Sequence, residues 1–180
     1  MNAYLLPTMK ELILGGARSG KSALAQQRAG QSGLAVTYIA TAQVLDKEMA
    51  DRIALHRQAR PAGWRLVEEP LALAQTLQAN AAADRCLLVD CLTLWLSNLL
   101  AAGGERLRYE KQALLETLPI LPGYLILVSN EVGQGIVPVN PLARRFRDEA
   151  GWLHQALARC CERVTLTVAG LPLTLKDIST

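Results

Sequence analysis

Residues 12–22 read Leu-Ile-Leu-Gly-Gly-Ala-Arg-Ser-Gly-Lys-Ser, and this string narrows the possible folds more than any other. Leu12-Ile13-Leu14 is a short apolar run that suits a strand buried on both faces. The next residues, Gly15-Gly16-Ala17-Arg18-Ser19-Gly20-Lys21-Ser22, match the phosphate-loop pattern in full. Glycines there let backbone N–H groups turn inward around phosphate oxygens. A helix-compatible stretch follows, and its N-terminus would add the positive end of a dipole. Lys21 would reach the β- and γ-phosphates, and the Ser22 hydroxyl would hold Mg²⁺. Strand before and helix after make a chance match at a glycine-rich turn the weaker reading.

The rest of the chain repeats this alternation. Strand candidates are Glu11–Leu14, Ala35–Ala40, Arg65–Val67, Arg85–Val89, Tyr124–Ser129, Arg163–Val168 and Leu171–Leu175. Helix candidates are Lys21–Ala29, Lys47–Ala59, Leu71–Asn80, Thr93–Ala101, Tyr109–Leu118 and Leu142–Cys161. Such alternation predicts a mostly parallel sheet flanked by helices. Only Ala169-Gly170 joins the last two strands, so they form a hairpin with an antiparallel edge. Gly103-Gly104 and Pro119–Gly123 read as loops, and the 180 residues as one domain.

Composition excludes several classes. Hydrophobic residues make up 51% and charged residues 19%, so the chain can build a core and is not disordered. A net charge of +3 without any basic block suits a small anionic ligand and argues against nucleic acid. Cys86–Ala102 is the most apolar stretch, but Asp90, Thr93, Ser97 and Asn98 interrupt it, so no membrane span is expected. No signal peptide is evident. Cys86, Cys91, Cys160 and Cys161 form no CxxC, and the only histidines are His56 and His154, so zinc-site spacing is absent. Reduced thiols in a cytoplasmic protein are the expected state.

Phosphate-loop enzymes that use Mg²⁺ carry a carboxylate at the end of another buried strand. Cys86-Leu87-Leu88-Val89-Asp90 offers Asp90, which also reads as an N-cap for the helix from Thr93. A signalling GTPase is disfavoured: there is no Asn-Lys-x-Asp, and the only Asp-x-x-Gly, Asp148–Gly151, falls in a helical stretch.

Five strings occur in an order that resembles the bifunctional adenosylcobinamide kinase/adenosylcobinamide-phosphate guanylyltransferase family of cobalamin biosynthesis. They are the loop Gly15–Ser22; Tyr38-Ile39-Ala40-Thr41-Ala42; Asp46–Pro61 followed by Trp64; Leu88-Val89-Asp90-Cys91-Leu92-Thr93; and Ser129–Pro138, followed by Asn140, Leu142-Ala143-Arg144 and Phe146-Arg147-Asp148. Arg52-Ile53-x-x-His56 and Asn130-Glu131-Val132-Gly133-x-Gly135-Ile136-Val137-Pro138 are the narrowest of them. The resemblance implies a RecA-like P-loop domain, a trimer, and two reactions at one site. In the first, a nucleoside triphosphate, ATP or GTP, phosphorylates the corrinoid adenosylcobinamide. In the second, GTP donates GMP through a guanylylated histidine.

His56 matches the family's nucleophile. Its chemistry agrees, because neutral imidazole is a competent nucleophile near pH 7. Arg52 and Arg60 lie one helical turn either side of it and would favour the neutral ring. By the same resemblance Thr41, Ala42 and Gln43, Arg57, Gln58, Ala59 and Arg60, and Glu68 contact the nucleotide, with Glu69 as the rival for the place of Glu68. Ser22 and Asp90 hold the metal. His154 lies outside the matching strings and reads as structural. Asn130–Asn140 reads as a long ligand-facing loop. Arg144, Arg145 and Arg147 read either as a solvated helix face or as partners for phosphate or a second subunit. Two other functions fit the phosphate loop alone: a kinase of another small alcohol without a covalent step, and a nucleotide-binding regulatory module.

Overall fold

The structure is a computed structural model, and it describes residues 8–43, 61 and 63–178. The expected helix Lys47–Ala59 and the residues His56, Arg57, Gln58, Ala59 and Arg60 lie outside the described residues.

Seven strands form one sheet: β1 (Met9–Gly15), β2 (Ala35–Ala40), β3 (Arg65–Glu68), β4 (Arg85–Asp90), β5 (Tyr124–Asn130), β6 (Arg163–Val168) and β7 (Leu171–Asp177). Their spatial order is β3-β2-β4-β5-β1-β6-β7. Every neighbouring pair is parallel except the hairpin β6–β7. The described helices are α1 (Lys21–Gln31), α2 (Leu73–Asn80), α3 (Leu92–Ala102), α4 (Gly104–Thr117) and α5 (Pro141–Cys160).

The period of two along each strand divides the core into two layers. Ile13, Cys86, Leu88, Ile126 and Val128 face α1, packing on Ala25 and Ala29. Leu12, Leu14, Leu87, Val89, Leu125 and Leu127 face the other way, onto Leu73, Leu77, Trp95, Leu99, Leu114 and Leu153 of α2–α5. Helices therefore cover both faces of a mainly parallel sheet, as the alternation predicts, with the antiparallel hairpin at one edge.

Most boundaries shift by one or two residues from the sequence reading, and the instructive differences lie at α2, α4 and Pro119. Helix α2 starts at Leu73 rather than Leu71, because the Glu69 carboxylate accepts the N–H groups of Leu71 and Ala72 and holds them in a turn. Helix α4 starts at Gly104 rather than Tyr109. Gly103 alone, at φ +109°, separates α3 from α4, so the expected two-glycine loop is one residue. Pro119 sits inside a 3-10 turn, Leu118–Ile120.

Candidate functional site

Parallel registry brings Gly15, Asn130, Asp90 and Glu68 to one edge of the sheet. Gly15 is opposite Asn130 on one side and Thr167 on the other. Asp90 is opposite Val128 and Ala40, and Ala40 is opposite Glu68. The C-terminal ends of β1, β5, β4, β2 and β3 thus form a continuous rim, the usual ligand edge of an open parallel sheet. With β5 lying between them, β1 and β4 are separated by two strand spacings, about 10 Å.

Packing explains the glycines of the loop. A Cβ on Gly15 would lie 2.4 Å from Ser19 Oγ and 2.7 Å from the carbonyl oxygen of Thr167. Gly20 has φ +94° and lies against Gly170, whose Cα would be 3.1 Å from an added Cβ. The β6–β7 turn also supports the loop directly, since Gly170 N–H donates to Ser19 O at 2.9 Å. From the other side, Glu131 N–H donates to Gly15 O at 2.9 Å. Gly20 caps α1 without a side chain, which leaves the first-turn N–H groups facing the loop mouth.

Polar groups inside the loop are buried with few partners. Lys21, buried, donates from Nζ to Gly16 O at 3.1 Å. Ser19 Oγ and Thr167 Oγ1 are buried without any hydrogen-bond partner among the described residues. Buried polar groups are normally satisfied, so this cluster has capacity for anionic oxygens.

Asp90 shares parity with Cys86 and Leu88, which face α1, so its carboxylate lies on the phosphate-loop side of the sheet. It accepts a hydrogen bond from Tyr38 Oη at 3.2 Å. It does not cap the following helix: the N-cap of α3 is Cys91, which makes no side-chain cap bond. The Asp90–Cys91 peptide is cis. Ser22, in the first turn of α1, and Asp90 are hard oxygen donors of the kind that hold Mg²⁺ together with phosphate oxygens and water.

A second polar network stands behind Asp90. Thr41 Oγ1 donates to Cys91 O at 2.7 Å and accepts from Cys91 N–H at 3.1 Å. Asn98 Nδ2 donates to Thr41 O at 2.8 Å and to Pro70 O at 3.1 Å. Thr93 Oγ1 accepts from Asn130 Nδ2 at 2.9 Å and lies 3.1 Å from Cys91 Sγ. Burial, with the Asp90 charge beside it, pushes the Cys91 thiol up from its ordinary range. Sequence reasoning assigned no role at the site to Asn98 or Thr93, and read Gly170 only as part of the β6–β7 turn. A signal was present for the first two, as polar residues in the otherwise apolar stretch Cys86–Ala102.

Among the expected nucleotide contacts, Thr41 is fully buried, and Ala42 and Gln43 follow it half-buried. Glu68 ends β3 and is exposed, whereas the neighbouring Glu69 carboxylate is committed to the turn before α2. The 131–140 segment is a loop closed by its own residues. Glu131 accepts from Gly133 and Gln134 N–H, and Asn140 caps α5 through Leu142 and Ala143 N–H. Arg144 donates to Pro138 O and Val139 O, and Arg147 pairs with Asp148. Half-buried His154 is 2.7 Å from Ser129 Oγ through Nε2, and desolvation lowers its pKa against an opposing pull from Glu131.

All four cysteines are free. Among the described residues no helix is long and apolar enough to cross a membrane.

The family model described as cobinamide kinase/cobinamide phosphate guanyltransferase matches residues 11–175. The bifunctional adenosylcobalamin biosynthesis protein CobP of Pseudomonas aeruginosa is 66% identical over 169 residues, covering 93% of this chain and 98% of that protein. The corresponding protein CobU of Salmonella typhimurium is 42% identical over 182 residues, covering 93% and 100%. Among solved structures, a Pyrococcus horikoshii protein aligns with a TM-score of 0.53 at 11% identity, covering 97% of this chain and 90% of that one. The flagellar accessory protein FlaH of Methanocaldococcus jannaschii aligns at 0.50 and 15% identity, covering 96% and 80%. These likenesses bear on the fold alone, a mostly parallel seven-stranded sheet flanked by helices with an antiparallel edge hairpin. Its sheet, its phosphate loop and the match along nearly its whole length agree: the chain belongs to the cobinamide kinase/cobinamide phosphate guanyltransferase family of cobalamin-biosynthesis enzymes.

Proposed function

We propose that the rim of the sheet carries out both family reactions in succession on adenosylcobinamide. The observation that carries this reading is the under-satisfied polar cluster of the phosphate loop, set on the same rim as Asp90. The backbone of Gly15, Gly16, Ala17, Arg18, Ser19 and Gly20 cradles the triphosphate of ATP or GTP, and Lys21 neutralises charge on the β- and γ-phosphates. Ser22 and Asp90 hold Mg²⁺, which when bound supplies charge neutralisation at the phosphates. The aminopropanol hydroxyl oxygen of adenosylcobinamide attacks the γ-phosphorus, the bond from that phosphorus to the β-phosphate oxygen breaks, the nucleoside diphosphate leaves, and the hydroxyl proton is released.

In the second reaction a ring nitrogen of His56 attacks the α-phosphorus of GTP. The bond to the β-phosphate oxygen breaks, and pyrophosphate leaves. An oxygen of adenosylcobinamide phosphate then attacks that α-phosphorus, breaking the P–N bond, and adenosylcobinamide-GDP forms with neutral His56 restored. Thr41, Ala42, Gln43, Arg57, Gln58, Ala59, Arg60 and Glu68 surround this nucleotide. Glu68 stands at the family's Trp-x-x-x-Glu spacing from Trp64, which is the ground for taking it rather than Glu69. The chain acts as one domain over residues 1–180, in a homotrimer, in the cytoplasm.

The test is product analysis with adenosylcobinamide, ATP, GTP and Mg²⁺. Wild-type protein yields the phosphate and then the GDP adduct, and His56→Ala stops at the phosphate. A variant that still makes the adduct at the wild-type rate would remove His56 from the transfer and leave GMP passing to the phosphate directly, without a covalent step.

A further inference from the structure

The β6–β7 hairpin touches the phosphate loop at more than one point. Gly170 N–H donates to Ser19 O at 2.9 Å, and a Cβ on Gly20 would lie 3.1 Å from Gly170 Cα. The same Cβ would lie 3.7 Å from Thr167 Cγ2. Thr167 therefore underlies the residue that caps α1. Two residues earlier, Thr165 Oγ1 accepts from Arg28 of α1, so both threonines face the α1 side of the sheet. Pro172 stands directly opposite Thr167 in the antiparallel register, and opposite residues share a face. Its ring thus lies on the loop's side of the sheet, one strand spacing, about 5 Å, beyond Thr167.

Alternation along β7 sends Leu171 and Leu173 to the other face. Leu166, opposite Leu173, packs with the α2–α5 core accordingly. Pro172 and Leu171 are both exposed, on opposite sides of one edge strand. Across from Pro172, half-buried Leu24 lies one helical turn before Arg28 and so stands at the level of Thr167. Leu24 and Pro172 flank buried Thr167 beside the mouth of the loop. Proline on an edge strand also has a structural use, since it withholds an N–H from the free edge. That use is indifferent to which face the ring occupies.

Asp90 sets the direction of a bound nucleotide. Under the proposed function Ser22 and Asp90 share Mg²⁺ with the terminal phosphates. Asp90 ends β4, which lies beyond β5 on one side of β1, whereas β6 and β7 lie on the other. Terminal phosphates drawn toward β4 leave the α-phosphate and its nucleoside on the side of β6 and β7. We infer that Pro172, with Leu24, forms the apolar wall against which the nucleoside of the kinase donor rests. This deepens the proposed function and rests on the phosphate loop as the triphosphate site. Loop donors hold the phosphates and an apolar wall covers the nucleoside, the usual division of a ligand site.

The test uses full-length protein and measures labelled ATP bound with Mg²⁺, together with its displacement by inorganic tripolyphosphate. Tripolyphosphate fills the loop without a nucleoside, so the two affinities separate wall from loop. Pro172→Ser removes the ring, Pro172→Val keeps an apolar side chain, and Leu171→Ser alters the same strand on its other face. The expected result in Pro172→Ser is ATP affinity weakened roughly five- to tenfold, the loss of one or two buried CH₂ contacts. Its tripolyphosphate affinity changes less than about twofold, and in phosphorylation of adenosylcobinamide KM for ATP rises with kcat nearly constant. Pro172→Val and Leu171→Ser stay near wild type for both ligands. Unchanged ATP affinity in Pro172→Ser overturns the inference, as does equal weakening of both ligands, which marks a distorted loop. Equal ATP loss in Pro172→Val or Leu171→Ser also overturns it and assigns the proline to the strand edge. Wild-type protein that binds neither ATP nor tripolyphosphate overturns the phosphate-loop reading first and this inference with it.

Discussion

Two polar clusters lie buried where β1 meets α1, one at each end of the helix. At the far end Glu11, fully buried, is surrounded by partners. Arg28 Nη1 forms an ion pair with it, Tyr124 Oη donates to it, and Arg163 Nη1 lies 3.9 Å away. Arg28 also donates to Thr165 Oγ1 at 3.0 Å. Burial pushes the Tyr124 hydroxyl up to about 12, so it remains a donor at any ordinary pH. At the near end Lys21 has one carbonyl partner, and Ser19 Oγ and Thr167 Oγ1 have none among the described residues. The closed cluster binds strand to helix. Under the proposed function, the open one keeps its donors in place for phosphate oxygens, where preorganised groups need no rearrangement. A buried polar cluster is therefore informative through its degree of satisfaction.

Substitutions at the two ends should separate stability from catalysis. The largest expected effect is Glu11→Ala, which strands the Arg28 guanidinium without its carboxylate. Removing one partner of a buried pair destabilises by about 3–5 kcal/mol. Urea unfolding should show that loss, while activity per folded molecule stays near wild type. Intact stability would mean that the far cluster is not a structural clamp.

Lys21→Ala should do the reverse. Removing one preorganised donor to a developing anion lowers kcat roughly 100-fold or more, and steady-state phosphorylation of adenosylcobinamide measures it. The thermal midpoint should move by less than about 4 °C, equivalent to under about 1 kcal/mol at this chain length, since Lys21 makes a single hydrogen bond to the described residues. A collapse of the midpoint would erase the contrast between the clusters.

Asp90→Asn sharpens the comparison within the rim. It keeps an oxygen that can accept from Tyr38 and removes the charge. The Mg²⁺ concentration for half-maximal kinase activity should rise about tenfold, as expected when a charged ligand of a hard cation is neutralised. An unchanged Mg²⁺ requirement would move the metal role away from Asp90.

These contrasts also mark what the sequence made legible. The phosphate loop, the strands beside it and the β6–β7 hairpin follow from local chemistry: apolar runs, glycines, and a two-residue turn at Ala169-Gly170. Asp90 was recognisable because it ends an apolar strand. Sheet order was not, because it depends on crossovers that no local pattern encodes. The support of Ser19 O by Gly170, and the link from Asn98 to Thr41 and Pro70, join residues distant in sequence. The start of α4 was missed because glycine lowers helix propensity, while packing of Leu107 in the core outweighs it.

The smallest expected effect concerns His154. Burial lowers its pKa, with Glu131 opposing, so the neutral ring is the folded form. The unfolded chain then binds the proton first, and stability falls as pH drops below about 6.5, the ordinary histidine value. The slope is at most about 1.4 kcal/mol per pH unit for one proton. His154→Gln should flatten the stability profile between pH 5 and 7 by roughly that contribution, and leave the rate at pH 8 unchanged. An identical slope in the variant would assign the pH dependence elsewhere.

Under the proposed function, one rim both phosphorylates and guanylylates, through a histidine. The most direct measurement is the chemical stability of label from α-labelled GTP on wild-type and His56→Ala protein. Label that is acid-labile and base-stable on the wild type, and absent from the variant, is the predicted result, a phosphoramidate on His56. A wild-type chain that binds GTP yet takes no label, or a variant that labels equally, contradicts it.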